Sequence, residues 1–487
     1  MKSSDPQCTG RPGPAGRREV RSPAKGPQGL LGSGWVPAGW GVLFALGLLK
    51  FGNPVVMEKF LETPSEWLEW VLSPWPTAYG YGVAMGVLGL TVLLGRRGSW
   101  PGPWWLMGLP LMWFGWQCVS ALFTVDGTLT RLVLPHFAVC AACFYAGAGW
   151  LGRWSSLRGV WVWVLAALLW VIGYGVDQRF RGLPETRAFI LQHEATHWRD
   201  FPAEERKRWE EAGTLIRTPD GWKAHPKLLE KASSLRISST LFYPNTLAGA
   251  LLMMGPVVLW ALGTTDRLTP AARVFSVMSV GAGCLACLYW SGSKAGWLIG
   301  LGLAFLGFWA WPWPARVRLV VLGLVLGVGL TLFAVRYAGF FQRGAPSVAA
   351  RWDYWRAAWQ TAWEHPWVGT GPGTFQRPYE RIKPPEAEMA RLTHNDYLQQ
   401  ASDSGWPAAL AYTVWVVGVL VRTGRQVWSR PDREPFFVWL GLVAWAAQSF
   451  VEFNLYIPGL AWPAFALAGW LMAVSGENQS TEGAVGR

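Results

Sequence analysis

Blocks of uncharged apolar sequence recur along the chain, as in Val160–Val171 and Leu319–Phe333, and they cover every face of a helix instead of one stripe. A helix that is apolar all round needs either a large protein interior or lipid around it. Charged residues make up only 15% of the 487, against about 25% in soluble domains, so there is little with which to coat a water-exposed surface of this size. These features exclude a soluble enzyme, a disordered chain and a disulfide scaffold. They predict an all-α integral membrane protein with about twelve transmembrane helices, at roughly 36–56, 78–95, 103–123, 130–151, 158–176, 242–263, 271–290, 295–312, 316–337, 406–421, 434–454 and 458–475.

The charges that remain are ordered. Residues 1–34, rich in Pro, Gly, Arg and Lys, read as a disordered basic cytoplasmic tail leading into a retained signal anchor. With that tail inside, every second short connection carries Arg96/Arg97, Arg153/Arg158, Arg267/Arg273, Arg316/Arg318 or Arg422/Arg425/Arg430/Arg433, and the alternate connections are poor in cations. The net charge of +13 is therefore mostly topology, and no nucleic-acid partner is implied. The expected organisation is a bundle of about five helices at 35–176, a first outer, periplasmic loop at 177–241, and about four helices at 242–337. A large outer loop at 338–405, further transmembrane helices at 406–475 and a cytoplasmic tail at 476–487 complete it. Both large loops are expected to be helical, and soluble chemistry belongs there.

Some motifs in this chain have a bland reading. Cys140-x-x-Cys143 and Cys284-x-x-Cys287 each span one helical turn inside an apolar block, with no nearby His to complete a metal site, and read as packing residues. In the first loop, His193-Glu194-Ala195-Thr196-His197 matches the H-E-x-x-H zinc-protease pattern, with Glu210 or Glu211 as a third ligand. The loop is short for a protease fold, and a solvated helix face is the competing reading. Gly369-Thr-Gly371-Pro-Gly373 follows no strand and reads as a tight turn.

Other residues carry more. Trp352, Trp355, Trp359 and Trp363 form an aromatic stripe on a helix over Ala349–His365 that should lie flat at the membrane surface. Arg351, in the first turn after a Ser347 cap, and Arg356 point away from that stripe and suit a phosphate or pyrophosphate. Thr393 suits the N-cap of the next helix, which puts His394 at the first helical position, where the dipole favours a neutral, proton-accepting imidazole. Arg236 ahead of Pro244-Asn245, Lys294 after Ser293, and Glu452 all stand at outer helix mouths, where ionisable groups are functional candidates.

In their order along the chain these parts resemble the O-antigen ligase and O-antigen polymerase family of bacterial membrane glycosyltransferases. They are Arg236, Pro244-Asn245, Ser293-Lys294, Arg351, His365-Pro366 with Gly369, Gly371, Gly373 and Phe375, and His394-Asn395. The resemblance covers about the second half of the chain. His394, Asn395 and Gly405 match a ligase signature whose last position here is Ala408, and Lys294 stands where the family usually has Arg. The resemblance implies a GT-C-like fold, a metal-independent reaction without cofactor, and an undecaprenyl-diphosphate-linked glycan as donor at the periplasmic face of the bacterial inner membrane. It further implies Arg236 and Arg351 at the donor diphosphate and His394 beside the reacting hydroxyl; Arg356, Asn245, Lys294, Asn395 and Glu452 are the further substrate-binding candidates. The acceptor stays open between lipid A core, a growing glycan and a protein, and a lipid-linked glycan transporter or a zinc metallopeptidase are the readings from other classes.

Overall fold

A computed structural model of the protein describes residues 34–95, 100–211, 213–342, 344–428 and 432–485. The basic tail at 1–33, Arg96, Arg97 and Arg430 lie outside the described residues. The chain is 75% helical, and each of the twelve apolar segments coincides with a helix. Among the described residues, eight helical stretches are long and apolar enough to cross a membrane: Thr77–Leu94, Gly127–Arg153, Arg158–Ala195, Pro244–Gly263, Pro270–Ser291, Ala315–Gln342, Asp396–Val427 and Pro458–Ser475. Trp35–Lys50 and Lys294–Trp309 are apolar but shorter. Trp104–Ala121 and Glu434–Gln448 fill the remaining two places.

The last helix, Pro458–Val485, is the hub of the bundle. Its apolar window is 94% buried, and it packs against Gly127–Gly149, Trp35–Lys50, Asp396–Val427 and Glu434–Gln448. It runs helically to Val485, into the stretch expected as a tail. Asp126 caps Gly127–Gly149 by accepting from the Thr128 and Leu129 amides at 3.0 and 3.2 Å, and Ser293 caps Lys294–Trp309 through the Gly296 amide at 3.2 Å. The buried cysteines Cys140, Cys143, Cys284 and Cys287 are free thiols among packed helices. One neighbour was missed: His136, one turn before Cys140, has its Nε2 3.7 Å from the thiol. That imidazole is satisfied on both sides, at 2.7 Å from the Leu455 carbonyl and accepting from Trp462 Nε1 at 3.1 Å.

Both loop boundaries differ from expectation. Helix Arg158–Asp177 does not end in a loop. It continues through a π-helical turn, Gln178–Gly182, into Leu183–Ala195. Beyond it, Ala203–Glu211, strands β1 (Leu215–Thr218) and β2 (Gly221–Ala224), and Pro226–Ser234 enclose a small core of Ile190, Trp198, Phe201, Leu215 and Ala224. The antiparallel hairpin, with Thr218 opposite Gly221, corrects the all-helical reading of this loop; Pro219-Asp220-Gly221 is its turn.

The second loop does not stay outside the bundle up to residue 405. Its final stretch, Asp396–Ser404, is a polar helix buried among apolar ones, and several of its side chains are paired inside the bundle. Gln400 Oε1 accepts from Trp113 Nε1 and Gln117 Nε2, both at 2.7 Å, Ser404 Oγ donates to Gln117 at 2.6 Å, and Tyr456 donates to Asp403 Oδ2 at 3.0 Å. Asp403 also receives the Gly373 amide at 2.9 Å, which docks the glycine turn onto the buried helix. At Gly405 the helix breaks (φ 78, ψ 172), a conformation essentially restricted to glycine. A β-carbon there would collide with the Trp367 carbonyl oxygen. Gly405→Ala is therefore expected to destabilise the protein by at least about 2 kcal/mol. Thermal unfolding in detergent checks this, and an unchanged midpoint would refute the strain argument.

Candidate active site

The helix mouths at one end of the bundle gather the predicted ionisable residues around a single acid. Glu452 lies in the turn between Glu434–Gln448 and Pro458–Val485, with a side chain only 5% exposed. Its Oε1 accepts from Arg351 Nη2 at 2.5 Å and from the Asn245 side-chain amide, and its Oε2 lies 3.1 Å from His394 Nδ1. Arg236 joins through Asn245, donating from Nη2 to Asn245 Oδ1 at 3.0 Å and from Nε to the Ser291 carbonyl at 2.8 Å. Arg236, Asn245, Glu452, Arg351 and His394, spread over more than two hundred residues of sequence, thus form one hydrogen-bonded chain.

The local folds explain the placement. Asn245 is in the first turn of Pro244–Gly263, whose first residue is the proline that suits that position. Arg351 belongs to Pro346–Glu364, which starts one residue before the expected Ser347 cap because Pro346 takes the first position behind a left-handed Ala345 (φ 49). That puts Arg351 in the second turn, where it also donates to the Ser347 and Val451 carbonyls at 3.2 Å each. The Trp stripe on this helix is real, with Trp352, Trp359 and Trp363 exposed.

His394 is not at the first helical position. The cap is Asn395, whose Oδ1 accepts from the Leu398 amide at 3.0 Å, and the helix starts at Asp396. Thr393 folds back instead, donating to the Asn395 carbonyl at 2.7 Å, and His394 takes a left-handed backbone (φ 53). Its ring stacks on Tyr354 (5.8 Å, 26°) and meets Phe453 edge-on (4.7 Å). A carboxylate, not a helix dipole, is its dominant polar neighbour. An ionised Glu452 only accepts, so Nδ1 carries the proton and Nε2 is the basic nitrogen.

Electrostatics are mixed in sign at Glu452. Burial pushes its carboxyl up, but His394, Arg351 and Asn245 outweigh burial and hold it below the usual value. Burial likewise pulls the Arg236 guanidinium down, partly opposed by Glu452. Lys294, the first residue of Lys294–Trp309, lies within electrostatic reach of Arg236, Arg351 and Arg336. Its Nζ sits 3.9 Å from the Phe340 ring centroid. The site is a cationic basin with one central acid.

A cleft of about 270 Å³ opens beside His394, walled by Tyr243, Tyr354, Phe453, Arg391 and Met57 among others. Burial pushes the Tyr354 and Tyr243 hydroxyls up to about 12, so both are neutral donors at physiological pH. Two expected residues fall outside the cluster. Arg356 is exposed, five residues on from Arg351 and so about 140° around the helix. The Asn395 side-chain oxygen is occupied by its cap. Arg336, Tyr354 and the bridging role of Glu452 were missed; for Arg336 the signal was there, an arginine near the end of an apolar helix.

The H-E-x-x-H segment does not form a zinc site. Helix Leu183–Ala195 ends before His197, which with Trp198 takes a left-handed backbone (φ 51 and 58), so the two imidazoles do not share a helical face. Trp198 is drawn into the small core, and Glu194 accepts from its Nε1 at 2.9 Å and from the Ala224 amide at 2.8 Å. Glu210 accepts from Trp222 Nε1 at 3.2 Å. Among the described residues no group of three His, Cys, Asp or Glu side chains could hold a metal.

Residues 279–413, which include Lys294, Arg351 and His394, match the family model described as O-antigen ligase. No curated protein matches the chain.

Proposed function

We propose, from the premise that the chain carries an O-antigen ligase family domain and is at family level a membrane glycosyltransferase of the O-antigen ligase or polymerase type, that it transfers an undecaprenyl-diphosphate-linked glycan to an acceptor hydroxyl. The observation that carries this is Glu452, whose two oxygens join a guanidinium suited to a diphosphate to an imidazole suited to a hydroxyl.

The chemistry follows from those atoms. The acceptor hydroxyl gives its proton to His394 Nε2 as its oxygen bonds to the anomeric carbon of the donor, and the carbon–oxygen bond to the diphosphate breaks. The imidazolium so formed is held by Glu452 through Nδ1. The charge left on the polyprenyl diphosphate falls to Arg236, Arg351 and Lys294. A guanidinium has five N–H donors; Arg236 commits two and Arg351 three to protein oxygens, so both retain donors for phosphate. Fixed cations aimed at a leaving group need no reorganisation as charge develops. The His365-to-Phe375 turn and Asp403 anchor the loop bearing Arg351 to the bundle, which keeps donor and acceptor groups in register.

The reaction would take place at the periplasmic face of the inner membrane. Arg153/Arg158, Arg267/Arg273, Arg316/Arg318 and Arg422/Arg425/Arg433 stand at the helix ends away from Glu452, which supports that orientation through the positive-inside rule. The acceptor is lipid A core, a growing glycan or a protein. Removing the protein from its cell tests the reading: free lipid-linked polymer should accumulate if it is a ligase, and single repeats if it is a polymerase. Unchanged envelope glycans and unchanged lipid-linked pools would overturn it.

A further inference from the structure

We propose that Lys294 and Arg336 form a lateral capture site, at which the diphosphate of a polyprenyl-linked donor passes from the bilayer toward Arg236. This rests on the lipid-linked donor of the proposed function and adds the path by which it arrives.

Both cations lean on one buried ring. Lys294 Nζ lies 5.2 Å and the Arg336 guanidinium 5.5 Å from the centroid of Tyr337, which fills the seam between Lys294–Trp309 and Ala315–Gln342. Arg336 also lies 5.3 Å from Tyr289. Aromatic faces orient a cation without neutralising it. Among the described residues neither cation has a carboxylate partner.

Their setting is a lipid-facing wall. Only 11% of the apolar window of Ala315–Gln342 is buried, and the helix packs chiefly on Lys294–Trp309. Leu332, Val335 and Phe341 are exposed around Arg336, which is itself exposed. An arginine on such a face is costly unless an anion or water meets it. Arg336 stands six residues before the helix ends at Gln342, about 9 Å along the axis, at a depth a lipid headgroup reaches. Inward, the positive field is continuous, since Arg336, Arg236 and Arg351 all act on Lys294, and Arg336 and Arg236 both act on Tyr337. A diphosphate can therefore exchange one cation for the next while its polyprenyl chain remains against the exposed leucine and valine face. A merely snorkelling arginine would give none of this discrimination for the donor.

The test uses the full-length protein in phosphatidylcholine nanodiscs, which contain no other anionic lipid, with initial transfer rates measured against donor concentration. Arg336→Gln should raise KM for the polyprenyl-diphosphate donor by about tenfold, a larger effect than on kcat, and Arg336→Lys should recover most of it. Inhibition by inorganic pyrophosphate, which needs no lateral route, should be the same in wild type and Arg336→Gln. An unchanged donor KM, or a defect that appears only when phosphatidylglycerol is added, overturns the capture site while leaving the proposed function standing. Wild-type protein that transfers from no polyprenyl-linked donor would sink both.

Discussion

His394→Ala is expected to lower the turnover of glycan transfer by about 10³-fold while leaving donor affinity within about threefold of wild type. The reason is that His394 touches the donor-binding cations only through Glu452, whose Oε1 keeps its bonds to Arg351 and Asn245 when the imidazole on Oε2 is gone. What is lost is the base. Alanine in a left-handed backbone (φ 53) adds a stability cost of about 1 kcal/mol, so the loss of activity needs a control for folding. His394→Asn supplies it, since asparagine tolerates that conformation but cannot accept a proton at neutral pH. Both variants should be inactive, and the asparagine variant should unfold at nearly the wild-type temperature. Turnover near wild type in His394→Asn would remove the imidazole from the mechanism.

The membrane helices were legible because hydrocarbon demands long apolar runs, and every such run became a helix. The parts that escaped are those whose polarity is satisfied inside the fold. Asp396–Ser404 reads as a surface segment, with Gln399, Gln400, Ser402, Asp403 and Ser404 in close succession, yet it is buried because Trp113, Gln117 and Tyr456 supply its partners. No local pattern announces a partner nearly three hundred residues away. The hairpin escaped for a different reason: each strand has four residues, too few for a period of two to stand out, and only Pro219-Asp220-Gly221 marked it. At the site, Arg236, Arg351, His394, Lys294 and Glu452 were each visible as ionisable groups near helix mouths, but which of them share bonds was not. One acid stood among several cations, and only the turn 449–457 brings that acid to Arg351 and His394 together.

Arg351 should show the other large effect, in donor binding as well as turnover. Arg351→Ala is expected to lower kcat/KM by about 10²–10³-fold, because it removes a cation from the leaving group and leaves Glu452 buried with one charged partner fewer. Arg351→Lys should rescue little, since one ammonium cannot serve the Ser347 and Val451 carbonyls, Glu452 and a phosphate from the same place. Glu452→Gln separates the two consequences. The neutral amide keeps the size and can still meet Asn245 and Arg351, but it no longer stabilises an imidazolium, so turnover should fall by about 10²-fold or more while pyrophosphate inhibition persists. In Arg351→Ala that inhibition should weaken as well. The pH behaviour has a definite sign. Glu452 is held below its ordinary value, so its contribution to stability is complete above that ordinary value and is lost as the pH falls through the lowered one. In acid solution, as the pH falls below that ordinary value, wild type should lose stability relative to Glu452→Gln. Pyrophosphate inhibition that survives Arg351→Ala unchanged, with full wild-type stability, would mean that the guanidinium serves the fold of the loop and not the donor.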